Sequence, residues 1–279
     1  MVLKSYSKIN LSLKVNSKLK KGLHEIQSHY CLINLSDKIT IRKIKKKKDK
    51  IFFKGPFVKH IKKSNNSITN LLSFLRKYKL ISNFYSVNVV KNIPVFSGLG
   101  GGTSNAAFIL KYLLKKEKIT ESILNKIEKL IGTDLRLFFY KQGFLENLKT
   151  IKIIKKRQKL LFLLSRPNIN CSTSEIYSKV KRYSKKNKFK PYKINTRKKF
   201  INHFLDQKNE LQSIVEKKYP PIKTLLKDIS TKKGCYFSRM SGSGSVCYGL
   251  FNSESNAKKA LNKIKYKYPK FWFSIAKTV

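Results

Sequence analysis

The chain has 279 residues, 41% of them hydrophobic, enough for one large core or two moderate ones. Its 63 basic against 14 acidic residues give a formal charge of +49, a balance that ordinarily suggests a polyanionic partner. Only eight of the basic residues are arginine, the better side chain for planar phosphate and base recognition, and 55 are lysines spread along the chain. Lys, Asn and Ile share A/T-rich codons, so drift in an AT-rich genome accounts for the excess, and nucleic acid is disfavoured as a partner. Phosphorylated small molecules should still be drawn in electrostatically, more so at low salt.

No run approaches the roughly 18 apolar residues of a membrane helix. The opening MVLKSYSKIN carries no apolar signal region, so a cytoplasmic protein is expected. Cys31, Cys171, Cys235 and Cys247 contain no C-x-x-C pair, and His24, His29, His60 and His203 are scattered. Neither a zinc site nor a disulfide framework is expected, and the cysteines read as buried free thiols.

In chain order, Lys4 to Val15 alternates, with Ile9, Leu11, Leu13 and Val15 on one face and Lys8, Asn10, Ser12 and Lys14 on the other. This predicts a half-buried strand whose polar face carries both Lys8 and Asn10. Further strands are expected over Cys31 to Lys43 and Lys50 to Phe53, around the solvated run KIKKKKDK. Helical spacing over Asn66 to Lys77 turns Ile68, Leu71, Leu72 and Leu75 inward, and Phe84 to Val90 is a strand leading into PVFSGLGGGTSNAA. A buried helix should follow the glycines, with Thr103 or Ser104 as its cap. A second helix is expected from Thr120 through Ile123, Leu124, Ile127, Leu130 and Ile131, stopping at Gly132.

A third core region starts near Leu160. The segment 181–199 lacks periodicity and reads as an exposed connector, and Phe200 to Val215 as one helix. Cys235 to Leu250 should be two short strands around SGSGS, followed by a helix near Ser255 to Tyr266 and a last strand from Trp272 to Val279. No internal repeat is present. Strands and helices mix without a strict βαβ alternation, which predicts an α+β fold in two lobes.

Three constellations carry chemistry. GLGGGTSN, Gly98 to Asn105, lies between a strand and a helix and holds four of the chain's 12 glycines. Glycines permit close backbone approach and a helix N-terminus offers free N–H groups, a combination suited to a nucleoside triphosphate. It is neither a Walker A loop nor a G-x-G-x-x-G fingerprint. RMSGSGSV, Arg239 to Val246, is a second glycine-containing hairpin, and the two loops together suggest two walls of one ligand cleft. Lys8 and Asp134 are the third candidate, although no spacing rule pairs them: a carboxylate can accept a hydroxyl proton and an ammonium can steady the charge that develops. Helix capping is the alternative for Asp134.

SKINLSLKV, KGLHEIQS, PVFSGLGGGTSNAA, GTDLRLFF and RMSGSGSV occur in the order found in the GHMP kinases. The chain resembles that family over essentially its whole length, most closely the branch whose acceptor is a cytidine-diphosphate-linked methylerythritol. The resemblance implies an N-terminal lobe like ribosomal protein S5 domain 2 over residues 1–150 and a ferredoxin-like C-terminal lobe over 151–279. It implies that ATP, with Mg2+, lies on Pro94, Val95, Phe96, Ser97, Gly98, Leu99, Gly100, Gly101, Gly102, Thr103 and Ser104. Lys8 and Asp134 match the catalytic pair, Asp134 taking the proton of the acceptor's 2-hydroxyl. Asn10, His24, Thr173 and Tyr177 match substrate-holding positions, His24 at the cytosine edge and Tyr177 stacked on the ring. A small-molecule cytidine diphosphate substrate, no membrane partner, and a monomer or homodimer are expected.

The chain also departs from that pattern. Leu23 stands where the family commonly has tyrosine, which would remove one aromatic face of the base, and stacking of this kind contributes about 1–3 kcal/mol. Leu135-Arg136 replaces the usual Val-Pro, and the following glycine stretch is shortened to GFLENL, Gly143 to Leu148.

Overall fold

The structure, a computed structural model, describes residues 1–62, 64–114 and 119–279. The chain divides into two compact units built from interleaved segments: Met1–Lys8, Leu35–Val95 and Gly100–Tyr140 in the first, and Ile9–Asn34, Phe96–Leu99 and Lys141–Val279 in the second. The composition of both is α+β, as expected from the unordered mixture of periodicities.

In the first unit, β1 (Val2–Asn10) pairs with β3 (His24–Ile44), whose latter half runs antiparallel to β5 (Phe84–Val90) from Lys38↔Val90 to Ile44↔Phe84. β4 (Lys50–Lys54) joins β5 in parallel. Helix α1 (Ser67–Lys77) packs on both α2 (Gly101–Leu113) and α3 (Glu121–Ile131). Helix α1 buries Ile68, Leu71, Leu72 and Leu75, and the Asn66 side chain caps it by accepting from the N–H groups of Ile68 and Thr69. Helix α3 starts on Thr120 and ends on Gly132, burying Leu124 and Ile127, while Leu130 stays exposed. The lysine run 45–48 is exposed, as a solvated turn should be.

In the second unit, β2 (Lys14–Lys18) pairs with the start of β3, and β6 (Gln142–Leu145) with Ser28 to Cys31 of β3. The shortened GFLENL segment supplies Gly143–Leu145 of β6 and the start of the turn that leads to β7 (Ile151–Ile153). A four-stranded antiparallel sheet has the order β11 (Trp272–Lys277), β8 (Leu161–Arg166), β10 (Cys247–Phe251), β9 (Cys235–Met240). Helix α7 (Pro220–Ser230) packs on β9 and β10, and α8 (Glu254–Lys267) on β8 and β11. The strand–helix–strand–strand–helix–strand succession, with the fourth strand beside the first, is the ferredoxin-like arrangement.

Three local expectations are corrected. The strand expected over Lys4 to Val15 is broken at Leu11 to Leu13. The N–H groups of Leu11 and Ser12 both reach the His29 carbonyl, at 2.7 and 3.4 Å, and Leu13 bridges to Asn209. Its polar face is not solvated: Lys8, Asn10 and Ser12 are each 3% exposed. The single helix expected over Phe200 to Val215 is two, α5 (Arg197–Leu205) and α6 (Gln212–Lys218). Between them Leu13 N–H donates to Lys208 O and Glu210 N–H to Leu13 O, and these bonds interrupt the helix. Within 181–199, Phe189 and Ile194 are buried, so that segment is anchored rather than a free connector.

The cysteines carry no disulfide, and Cys31, Cys171 and Cys247 are buried. Burial raises the Cys171 thiol to about 11 and the Cys235 thiol to about 12, so both stay protonated and unreactive near neutrality.

Candidate active site

The glycine segment leaves β5 over a buried ion pair. Asp37, fully buried, accepts from the N–H groups of Asn92 (2.8 Å) and Ile93 (2.9 Å) and from the Lys91 ammonium. Helix α2 then begins at Gly101, with Gly100 as its N-cap in the left-handed region (φ 70°) and no side-chain capping bond. Thr103 and Ser104 are therefore inside the helix and are not its caps. The Ser104 hydroxyl bonds Ser5 Oγ and the Tyr6 carbonyl, and its N–H bonds the Gly100 carbonyl, so Ser104 anchors α2 to β1. A Cβ on Gly101 would meet Ile93 at 2.9 Å and Lys91 Nζ at 3.4 Å. Glycine thus lets the helix start pass directly over a buried ammonium, and an uncapped helix N-terminus beside a cation suits an anion. Gly102 accepts a bond from Ser67 Oγ at 2.7 Å, which links the starts of α1 and α2.

Upstream, Pro94 is buried and Val95 half-buried. Phe96 is half exposed with φ 50°, an uncommon conformation for an aromatic residue. The SGSGS hairpin clamps this stretch from below. Ser245 N–H donates to Phe96 O (3.4 Å), Val246 N–H to Ser97 O (3.1 Å) and Ser241 Oγ to Gly98 O (3.2 Å). Gly98 has φ 73°, and a Cβ there would lie 2.0 Å from the Ser241 carbonyl oxygen. Ser97 and Leu99 are buried alongside.

The Lys8 and Asp134 side chains come together in the first unit, Nζ to Oδ2 at 3.3 Å. Asp134 lies in the turn after α3 and precedes a 3-10 turn, Leu135–Phe139, to which it gives no side-chain cap. Capping therefore does not account for this aspartate. Phe138 of that turn packs under Gly100: a Cβ on Gly100 would meet its ring at 2.9 Å and Lys8 Cε at 3.5 Å. The ion pair and the start of α2 thus share one floor. The arrangement places a carboxylate, an ammonium and free helix N–H groups together, the set needed to accept a proton and to hold a polyphosphate.

The second unit gathers the other expected residues. Asn10 Nδ2 donates to Ser28 Oγ (2.8 Å), and its backbone is fixed by Ser241 Oγ and the Tyr248 hydroxyl. His24, at the start of β3, is 7% exposed, and its ring lies 5.2 Å from Tyr177 at a 34° tilt. Burial, followed by the nearby Lys18, lowers the His24 imidazole below its ordinary value, against an opposing contact with the Gly22 carbonyl. It is neutral at physiological pH, with one nitrogen to donate and one to accept. Thr173 opens the short helix α4 (Thr173–Ser178), and its hydroxyl meets Ser243 of the hairpin at 2.9 Å.

Sequence reasoning passed over Tyr183, whose ring lies 6.2 Å from His24 at a 30° tilt and which is 44% exposed. Its neighbour Ser184 is pinned by N–H to Val15 O (2.9 Å) and by Asn16 Nδ2 to Ser184 O (2.9 Å). Nothing in an aperiodic lysine-rich stretch signals this pinning. Lys91 and Asp37 were also passed over, because one lysine among 55 carries no signal of its own.

Models of the GHMP kinases N terminal domain and of GHMP kinases C terminal match residues 66–136 and 197–270. The chain is 38% identical over 281 residues to 4-diphosphocytidyl-2-C-methyl-D-erythritol kinase of Pelagibacter ubique, covering 99% of this chain and 98% of the relative. Its counterpart in Wolbachia pipientis wMel is 30% identical, covering 96% and 95%. A crystal structure of 4-(cytidine 5'-diphospho)-2C-methyl-D-erythritol kinase superposes with a TM-score of 0.75 over 99% of each chain, at 19% identity, a likeness of fold. The chain therefore belongs to the GHMP kinases and, within them, to the 4-diphosphocytidyl-2-C-methyl-D-erythritol kinase family.

Proposed function

We propose that the chain transfers the γ-phosphoryl group of ATP to the 2-hydroxyl of 4-diphosphocytidyl-2-C-methyl-D-erythritol, a step in making isoprenoid precursors. The observation that carries this reading is the Lys8–Asp134 pair, 3.3 Å apart and sharing the floor of Gly100. Asp134 accepts the hydroxyl proton, and Lys8 steadies the emerging alkoxide and the moving phosphoryl group. The N–H groups at the start of α2 hold the triphosphate, and the buried Lys91–Asp37 pair beneath them fixes the strand that leads into the helix.

The aromatic and polar groups of the second unit serve the cytidine. Tyr177 and Tyr183 offer ring faces, and neutral His24 offers a donor and an acceptor to the base edge. Tyr183 supplies aromatic surface that Leu23 does not. Asn10 and Thr173 hold the remainder of the substrate. Residues 1–150 act as the ATP-binding lobe and 151–279 as the C-terminal lobe.

Among the described residues no group of three or more His, Cys, Asp or Glu could enclose a metal ion. Magnesium needs no such cluster, since it binds through one or two carboxylates and substrate phosphates rather than through an all-protein cage. Asp134 is the carboxylate that would contribute to holding it, and magnesium would supply charge neutralisation to the phosphates. Among the described residues no helix is long and apolar enough to cross a membrane. A cytoplasmic monomer or homodimer is part of the same proposal.

The test is ADP release with Mg-ATP and four acceptors: the cytidine diphosphate methylerythritol, homoserine, mevalonate and galactose. Turnover of the first alone, sharply reduced in Asp134→Asn, is the expected result. Turnover of another acceptor would keep the fold and refute the substrate.

A further inference from the structure

We propose that Arg136 is a positioning residue for Asp134. It aims the carboxylate by locking the turn that carries it onto α3, and the inference rests on the reading of Asp134 as the base.

Asp134 makes no side-chain cap bond to its own turn, so apart from its ion pair with Lys8 the direction of its carboxylate depends on what holds the backbone. Two backbone bonds define that turn: Leu135 N–H to Gly132 O and Leu137 N–H to Asp134 O, each 3.1 Å. Two residues beyond Asp134, the Arg136 side chain is 6% exposed and forks onto Glu128, Nε to Oε1 at 2.8 Å and Nη2 to Oε2 at 3.0 Å. Its remaining N–H groups reach Glu121 (3.3 and 3.4 Å) and Asn125 Oδ1 (3.3 Å). Glu121, Asn125 and Glu128 lie four and three residues apart and so form one stripe of α3 facing a single guanidinium. A bidentate fork fixes direction as well as distance, which a point charge cannot do.

The fork is a poor device for stability alone. Desolvating two charges offsets most of their attraction, and well-packed apolar residues stabilise such a site equally well. What the fork provides is orientation. It sets the turn on α3 while Leu135, Leu137 and Phe138, all fully buried, hold it from the inner side. Phe138 also underlies Gly100, so the same turn registers Asp134 against Lys8 and against the start of α2. Misplacing a catalytic group by about 1 Å can cost about 100-fold in rate.

The test is a double-mutant cycle between Arg136→Lys and Asp134→Asn, with Glu128→Gln measured in parallel. Glu128→Gln cuts the fork from its other end and carries the test if Arg136→Lys does not fold. Turnover is measured per folded enzyme on Mg-ATP and the cytidine diphosphate methylerythritol. Arg136→Lys and Glu128→Gln should each lower kcat by roughly 10- to 100-fold, with KM for both substrates within about threefold. Adding either to Asp134→Asn should lower the residual turnover no further, because a residue acting only through Asp134 has nothing left to position. The inference is overturned if the losses multiply, or if the single variants lose thermal stability but keep wild-type kcat. Full activity of Asp134→Asn would overturn both this inference and the functional reading.

Discussion

The ion pair between Lys8 and Asp134 is unequal in its burial: across 3.3 Å, the lysine side chain is 4% exposed and the carboxylate 32%. A desolvated ammonium acts with little screening, whereas a carboxylate open to solvent can still meet an incoming hydroxyl. On the mechanism proposed above, the two residues divide the chemistry, Lys8 as a fixed charge and Asp134 as the proton acceptor. Asp134→Asn keeps the shape and removes the base, and kcat should fall by about 100- to 10,000-fold with KM for ATP little changed. Lys8→Met should also depress kcat, and it leaves a carboxylate beside the triphosphate without its counter-charge. Steady-state ADP release checks both, and an Asp134→Asn enzyme within a factor of a few of wild type would remove Asp134 from the chemistry.

Gly98 and Gly22 share a backbone angle, φ 73°, but not an environment. At Gly22 an added Cβ meets nothing within 4 Å, whereas at Gly98 it would lie 2.0 Å from the Ser241 carbonyl. Gly22→Ala should cost about 1–2 kcal/mol, the ordinary penalty for a side chain in the left-handed region. Gly98→Ala must in addition push the hairpin away from the glycine segment, since the atom it meets is backbone. It should cost clearly more stability than Gly22→Ala and raise KM for ATP. Paired melting curves and ATP titrations test this, and equal destabilisation by the two substitutions would contradict the clamp.

Local rules reached furthest where side chains answer only to their own element. Helix α1 follows the inward stripe of Ile68, Leu71, Leu72 and Leu75, and β5 spans the alternating stretch Phe84–Val90. They failed where distant backbone intervenes. The break between α5 and α6 exists because Leu13 bonds Lys208 and Glu210, which no window around 206–211 contains. Ser104 has the composition of an N-cap, yet left-handed Gly100 starts the helix earlier and the serine turns to β1. For the site, the glycines and the five motifs were visible. The partnership of Lys8 with Asp134 was not, since 125 intervening residues carry no spacing rule, and it came from family resemblance. Arg136 could be noted as a departure, but its meaning required seeing three acceptors on α3.

Tyr183 should matter for the cytidine substrate and for nothing else. Its ring lies 6.2 Å from His24, and it remains 44% exposed although Ser184 beside it is anchored. Aromatic stacking on a base contributes about 1–3 kcal/mol, roughly a 5- to 150-fold change in affinity. Tyr183→Ala should raise KM for the cytidine diphosphate substrate within that range, leave KM for ATP unchanged, and be rescued by Tyr183→Phe. A Tyr183→Ala enzyme with unaltered KM would mean that Tyr177 alone faces the base.

Acid should destabilise the fold through two histidines of the second unit. His29 is 4% exposed with its ring 5.1 Å from His203, and both rings sit against Phe204. Burial, with smaller contributions from His203 and Lys14, holds the His29 imidazole well below its ordinary value of 6.5, and burial lowers His203 as well. Both are therefore neutral in the folded chain at pH values where the unfolded chain has already bound protons. Because the unfolded state binds more protons there, stability is full above about pH 6.5 and falls as pH drops toward the folded-state values. One such group contributes about 1.4 kcal/mol per pH unit at its steepest. Melting temperature should therefore fall between about pH 7 and pH 5, and the slope should flatten in His29→Gln and further in His29→Gln/His203→Gln. The wild-type slope persisting in the double variant would assign the acid sensitivity to other groups, the salt-bridged carboxylates first among them.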